Sequence, residues 1–145
     1  MCIRDSELGP ACKVVQGDIT VDADRNRILD SVLAHGNGLD GLVNNAGNMY
    51  RAALADLDES ALMEVFHQNV IGAMMMSSIC APALAARGGS IVFIGSIHTR
   101  RAFPGASPYA ATKAAIHIEQ RTSDPVGVQQ KCDRLCHLNG LTHPT

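Results

Sequence analysis

GSIHTRRAFPGASPYAATK, running from Gly95 to Lys113, is the stretch from which the rest of the chain can be read. It sets Ser96 thirteen positions before Tyr109 and places Lys113 four positions beyond that tyrosine. Four residues along a helix is just over one turn, so Tyr109 and Lys113 project from one face, and the preceding loop can carry Ser96 up to the pair. A phenol that titrates near ~10 is a poor acid or base at neutral pH, and a neighbouring ammonium stabilises its phenolate. Such a tyrosine can exchange a proton with a carbonyl or alcohol oxygen, and Ser96 can hydrogen-bond that oxygen and stabilise charge developing on it. Tyr and Lys one turn apart are common in ordinary helices, so this spacing alone does not define a site.

Two more features stand in line with it. Leu42 to Gly47 reads LVNNAG, an apolar strand ending in an Asn-Asn-Ala-Gly turn, and Asn69 lies mid-helix between that turn and Ser96. Together, NNAG, this Asn, the Ser and Y-A-A-T-K resemble the short-chain dehydrogenase/reductase family in order and approximate spacing, over roughly Lys13 to Thr122. The resemblance implies an α/β fold, a partial Rossmann-like doubly wound parallel sheet, and hydride transfer between NAD or NADP and a small carbonyl or secondary alcohol. Reduction of a ketone such as a 3-oxoacyl thioester and oxidation of an alcohol fit equally. It implies Tyr109 as general acid or base, Lys113 lowering the tyrosine pKa and gripping the nicotinamide ribose, and Ser96 positioning the substrate oxygen. Asn69 would hold a water linking the lysine to solvent. Asn45, Ala46 and Gly47 would line the cofactor groove, with Asp18, and Ile19 beside it, near the adenine. The two helices that carry Asn69 and Tyr109 often pack across a subunit interface in the family, which implies a homo-oligomer, dimer or tetramer.

Bulk properties agree with one domain. The 145 residues carry 12 Lys and Arg against 14 Asp and Glu, which suggests neither a nucleic-acid nor a membrane-surface partner by charge. No apolar run reaches the ~18 residues expected of a membrane span, and the start lacks the apolar core of a secretory signal, so the sequence reads as cytoplasmic. Five cysteines without framework spacing fit reduced thiols.

In chain order, MCIRDS, residues 1–6, continues no pattern and reads as a non-native scar of cloning or sequence assembly. Lys13 to Gln16 reads as a short strand that turns through Gly17-Asp18-Ile19-Thr20 into a helix from about Val21 to Ala34, ended by His35-Gly36-Asn37-Gly38. Asp18 and Thr20 suit a helix cap as well as a cofactor contact. Leu39 to Asn44 alternates little, as expected of a parallel strand buried on both faces. The Asn-rich turn after it either lines the groove outside the strand end or simply ties neighbouring strands together. Ser60 to Arg87 is one long helix with a broad apolar face, in which Met74-Met75-Met76 reads as core or subunit-interface filler and Cys80 as packing. Ser90 to Ile94 is a second buried strand that delivers Ser96 at its carboxyl end. His98, Arg100, Arg101 and Phe103 follow in a loop where a substrate pocket would be built; such residues are more often solvated loop, and none is assigned catalysis. Ser107 and Pro108 suit an N-cap and first helical position for a helix starting at Tyr109.

After Thr122 the pattern fails. Asp124-Pro125 stops the helix, and residues 123–145 read as a divergent tail in which a frame change between Thr122 and Gly140 would explain the loss of the family's Val-Asn-Ala strand. Cys132, Cys136, His137 and His143 match no common zinc spacing. No Gly-rich phosphate-binding turn precedes Lys13. Residues 7–122 therefore read as an interior part of the domain, lacking its first two strands and its C-terminal strand region, with weak or no turnover expected of it. The alternative is a noncatalytic piece that associates with an intact homologue through its interface helices.

Overall fold

Leu84, fully buried at 0% exposure, lies near the end of the longest helical rod in the structure, and that rod organises everything around it. A computed structural model describes residues 9, 11–101 and 103–122 of the chain; the MCIRDS opening, the divergent tail and its Cys and His residues lie outside the described residues. The rod is built from α2 (Glu59–Phe66), a π-helical segment (His67–Gly72) and α3 (Ala73–Ala85). Asp58 starts it, its side chain accepting the Ala61 N–H at 2.8 Å, which satisfies one of the donors a helix N-terminus leaves open. The remaining α-helices among the described residues are α1 (Asp22–Gly36) and α4 (Ser107–Thr122). Asn37 stops α1 by adopting a left-handed conformation, φ 52°, from which its N–H reaches the Leu33 carbonyl.

Two strands, β1 (Gly41–Asn44) and β2 (Ser90–Phe93), pair in parallel with Leu42 opposite Ile91 and Asn44 opposite Phe93. Backbone bonds from Ser90 to Asp40 and from Ile94 to Asn44 extend the ladder by a step at each end. Ala73, Met76, Cys80 and Leu84 from α3 pack with Ile91 and Phe93 from β2 and Ile116 from α4. Asn44 adds a polar tie, its amide donating to the Ser77 hydroxyl at 2.9 Å while that hydroxyl donates to the Ala73 carbonyl.

Three expectations need correction. Lys13 to Gln16 forms no strand: among the described residues nothing pairs with it, and an extended segment without a ladder neighbour is not a strand. Burial in β1 and β2 alternates, with Val43 61% exposed and Phe93 2% exposed, because the described helices pack on one face of the two-stranded sheet only. The methionine triplet, read as core or subunit-interface filler, needs no correction but divides. Met76 is core, whereas Met74 and Met75 are exposed. By length and composition Glu59–Ala85 is long and apolar enough to cross a membrane, contrary to the expectation from runs of consecutive apolar residues. Its buried stripe is nevertheless occupied by the sheet and α4.

Candidate active site at the carboxyl ends of the strands

The π-helical segment places Asn69 inward, at 2% exposure, in the middle of the long rod. A buried amide needs partners on both its oxygen and its nitrogen. Asn69 Oδ1 accepts the Asn48 N–H at 2.7 Å, and Nδ2 donates to the Asn48 carbonyl at 2.8 Å and to Thr112 Oγ1 at 3.0 Å. The residue just after the NNAG turn is thereby fastened to the π-helical segment and, through Thr112, to α4. Thr112 is itself fully buried, and its hydroxyl donates back to the Tyr109 carbonyl at 2.7 Å, a bond available one helical turn away.

Lys113 follows Thr112 and is 7% exposed. Its Nζ donates to the Ile94 carbonyl at 2.8 Å, just past the end of β2, and sits 5.8 Å from the centroid of the Tyr109 ring. Burial pushes the lysine pKa below its usual value, because desolvation disfavours the ammonium. A Cβ added to Gly47 would stand 2.9 Å from Asn69 Oδ1 and 3.9 Å from Lys113 Nζ. The turn backbone therefore lies directly against both side chains, and this close approach, rather than open space, is what the missing Cβ permits.

Ser96 sits where β2 runs out and caps a short 3₁₀ turn, Ile97–Thr99. Its hydroxyl oxygen accepts the His98 N–H at 3.2 Å and lies 3.0 Å from His98 Nδ1. The His98 ring stands edge-on to Tyr109, centroids 5.2 Å apart, which joins Ser96 to the tyrosine through one intervening side chain. Helix α4 begins at Ser107, two residues before the expected start, a difference in helix boundary that leaves Tyr109 in the first turn. Tyr109, Lys113, Asn69 and Ser96 are thus gathered at the carboxyl ends of β1 and β2.

Asp18 and Ile19 lie apart from that group. The Asp18 carboxylate accepts the Thr20 N–H and hydroxyl, at 2.9 and 2.8 Å, and the first of these bonds is the main cause that lowers its pKa. It does not cap α1, whose N-cap, Val21, has no side-chain bond. Ile19 packs on the π-helical segment, where a Cβ on Gly72 would come within 3.0 Å of it, and its carbonyl accepts from the buried Arg25 guanidinium at 2.8 Å. Asn45, Ala46 and Gly47 are exposed beyond β1.

Residues 3–122 match the profile of the short chain dehydrogenases. The chain belongs to the short-chain dehydrogenase family. A 3-phenylpropionate-dihydrodiol/cinnamic acid-dihydrodiol dehydrogenase of Shigella sonnei is 36% identical over 106 residues, covering 70% of this chain and 39% of its own. Among solved structures, an NADH-dependent reductase A1-R' complexed with NAD superposes with a TM-score of 0.74 at 27% identity, covering 80% of this chain and 53% of that one. A gluconate 5-dehydrogenase from Burkholderia cenocepacia, in complex with NADP and tartrate, superposes at 0.66 with 31% identity, covering 72% and 41%. This short-chain dehydrogenase chain thus spans well under two thirds of the length of these relatives.

In this member of the short-chain dehydrogenase family, three contributors escaped the sequence reading. Thr112 sat in plain view inside Y-A-A-T-K, and a polar residue beside a buried lysine was the available signal. Asn48 contributes only its backbone, which no side-chain pattern announces. His98 belongs, by sequence, to a loop of the kind that builds a substrate pocket but is more often merely solvated, and nothing in its spacing assigns it a role.

Proposed function

We propose that this segment supplies the proton-transfer half of an NAD(P)-dependent oxidoreductase acting on a small carbonyl or secondary alcohol. The observation that carries the reading is the Lys113 ammonium, buried and held by the Ile94 carbonyl beside Tyr109 and against the NNAG turn. Tyr109 donates a proton to the substrate oxygen in reduction and removes it in oxidation. Its hydroxyl makes no hydrogen bond to the described residues, which leaves it available to substrate. Ser96 donates a hydrogen bond to the same oxygen. Asn69 fixes the backbone at Asn48, supporting a proton path behind Lys113.

The residues present fit a nicotinamide ribose. Lys113 has three donors and uses one on Ile94, and the backbone of residues 45–47 is exposed alongside. That cofactor, when bound, supplies or accepts the hydride. Asn45, Ala46 and Gly47 would border it, and Asp18 and Ile19 would lie toward its adenine end, with NAD and NADP both admissible. Exposed Ile71, Met74 and Met75 on the long rod support a homo-oligomer, and the thiols of Cys12 and Cys80, both free, support a cytoplasmic setting.

A chimera tests the reading. Residues 13–117 would replace the equivalent segment of the gluconate 5-dehydrogenase, and ketones and secondary alcohols would be screened with both cofactors. Turnover by the chimera is expected; a folded chimera that binds cofactor yet turns nothing over contradicts the proposal.

A further inference from the structure

His98 touches three parts of the candidate site at once. Its Nδ1 lies 3.0 Å from Ser96 Oγ, its backbone N–H donates to the same oxygen at 3.2 Å, and its ring is wedged between Phe103, centroids 4.3 Å apart, and the edge contact with Tyr109. Its other nitrogen, Nε2, is buried and finds no hydrogen-bond partner among the described residues. Thr99 is not a competitor for the serine hydroxyl, because its own hydroxyl donates to the Ser96 backbone carbonyl at 2.8 Å.

We infer that His98 is a positioning residue for Ser96: held as its Nδ1–H tautomer, it fills the serine oxygen's acceptor capacity, so that the hydroxyl proton is free only for the substrate oxygen. A neutral imidazole carries one proton, on Nδ1 or on Nε2. Placing it on Nε2 buries a donor with no acceptor, and native structures avoid an orphaned N–H more strictly than a bare lone pair. An imidazolium would bury the same unpaired donor. The proton therefore belongs on Nδ1, where Ser96 Oγ accepts it. That oxygen has two lone pairs and one proton. Both lone pairs are then taken, one by the His98 backbone N–H and one by Nδ1–H, and the hydroxyl can act only as a donor. The opposite tautomer would turn the Ser96 proton into the imidazole and away from any ligand. The inference rests on the proposed role of Ser96 and adds the device that sets its polarity.

The tautomer can be read from the ring-nitrogen shifts of the ¹⁵N-labelled full chain, at a pH of about 8, above the usual imidazole titration near ~6.5. The His98 signals are assigned by their loss in His98→Asn. The expected result is a protonated Nδ1 and a bare Nε2 in the wild type, with the ring shifting toward Nε2–H in Ser96→Ala, which removes the acceptor. A wild-type ring protonated on Nε2 would overturn the inference, as would ring signals unmoved by Ser96→Ala. The wild-type spectrum decides the tautomer even if that variant does not fold. Since no turnover is measured, failure of the hydride-transfer reading leaves this result standing, and a wrong tautomer leaves that reading untouched.

Discussion

The Asn69 side chain clasps the backbone of Asn48 at both of its polar groups, accepting its N–H at 2.7 Å and donating to its carbonyl at 2.8 Å. The clasp joins the turn after β1 to the long rod, and a third bond to Thr112 carries it to α4. Asn69→Leu keeps the volume and removes all three bonds. Each is worth about 0.5–1.5 kcal/mol net, so a loss of roughly 2–4 kcal/mol is expected in urea unfolding. A loss within about 0.5 kcal/mol would mean that the clasp does not hold the turn.

Gly47 sets the distance over which that clasp works. Gly47→Ala would bring a Cβ within 2.9 Å of Asn69 Oδ1 and displace the amide from Asn48. The variant should lose about 1–3 kcal/mol of stability. In the Asn69→Leu background the same change should cost much less, since the group it collides with and the bonds it breaks are gone. Fully additive losses would count against the contact.

Lys113 gives the pH dependence its sign. Its folded pKa lies below the ordinary 10.5, so between the two values the unfolded chain binds more protons and stability rises with pH. This contribution is fully present above 10.5 and is lost as pH falls through the folded value. Chemical unfolding followed upward in pH should therefore show wild-type stability gaining on Lys113→Met as 10.5 is approached. Parallel profiles for the two proteins would show that the ammonium is not desolvated.

Much of the site was legible because it is written at helical spacing. Tyr109 and Lys113 lie one turn apart on α4, and Asn69, a mediocre helix former set mid-helix among Val65, Phe66, Val70 and Ile71, marks a buried amide that must find partners. What stayed hidden depends on contacts distant in the chain. Thr112 is buried by a partner 43 residues away, and HQNVIG looks like uninterrupted α-helix because its apolar pattern does not register a wider turn. Lys13 to Gln16 has the composition of a strand, but strand formation requires a neighbour, and composition cannot supply one. Asp18 followed by Thr20 is as good a signature for a closed turn as for a helix cap, and the structure uses the turn. His98 escaped because a histidine two residues from a serine has no periodic signature, and its contact depends on the 3₁₀ turn at Ile97–Thr99.

The central claim, that Tyr109 exchanges the proton with substrate, is tested most directly by Tyr109→Phe in the turnover-competent chimera, with cofactor affinity measured beside the rate. The substitution removes one oxygen and keeps the ring against His98 and Lys113. The account predicts a fall in kcat of about 10²–10⁴-fold with cofactor binding unchanged. A Tyr109→Phe chimera that retains kcat within about twofold would contradict it.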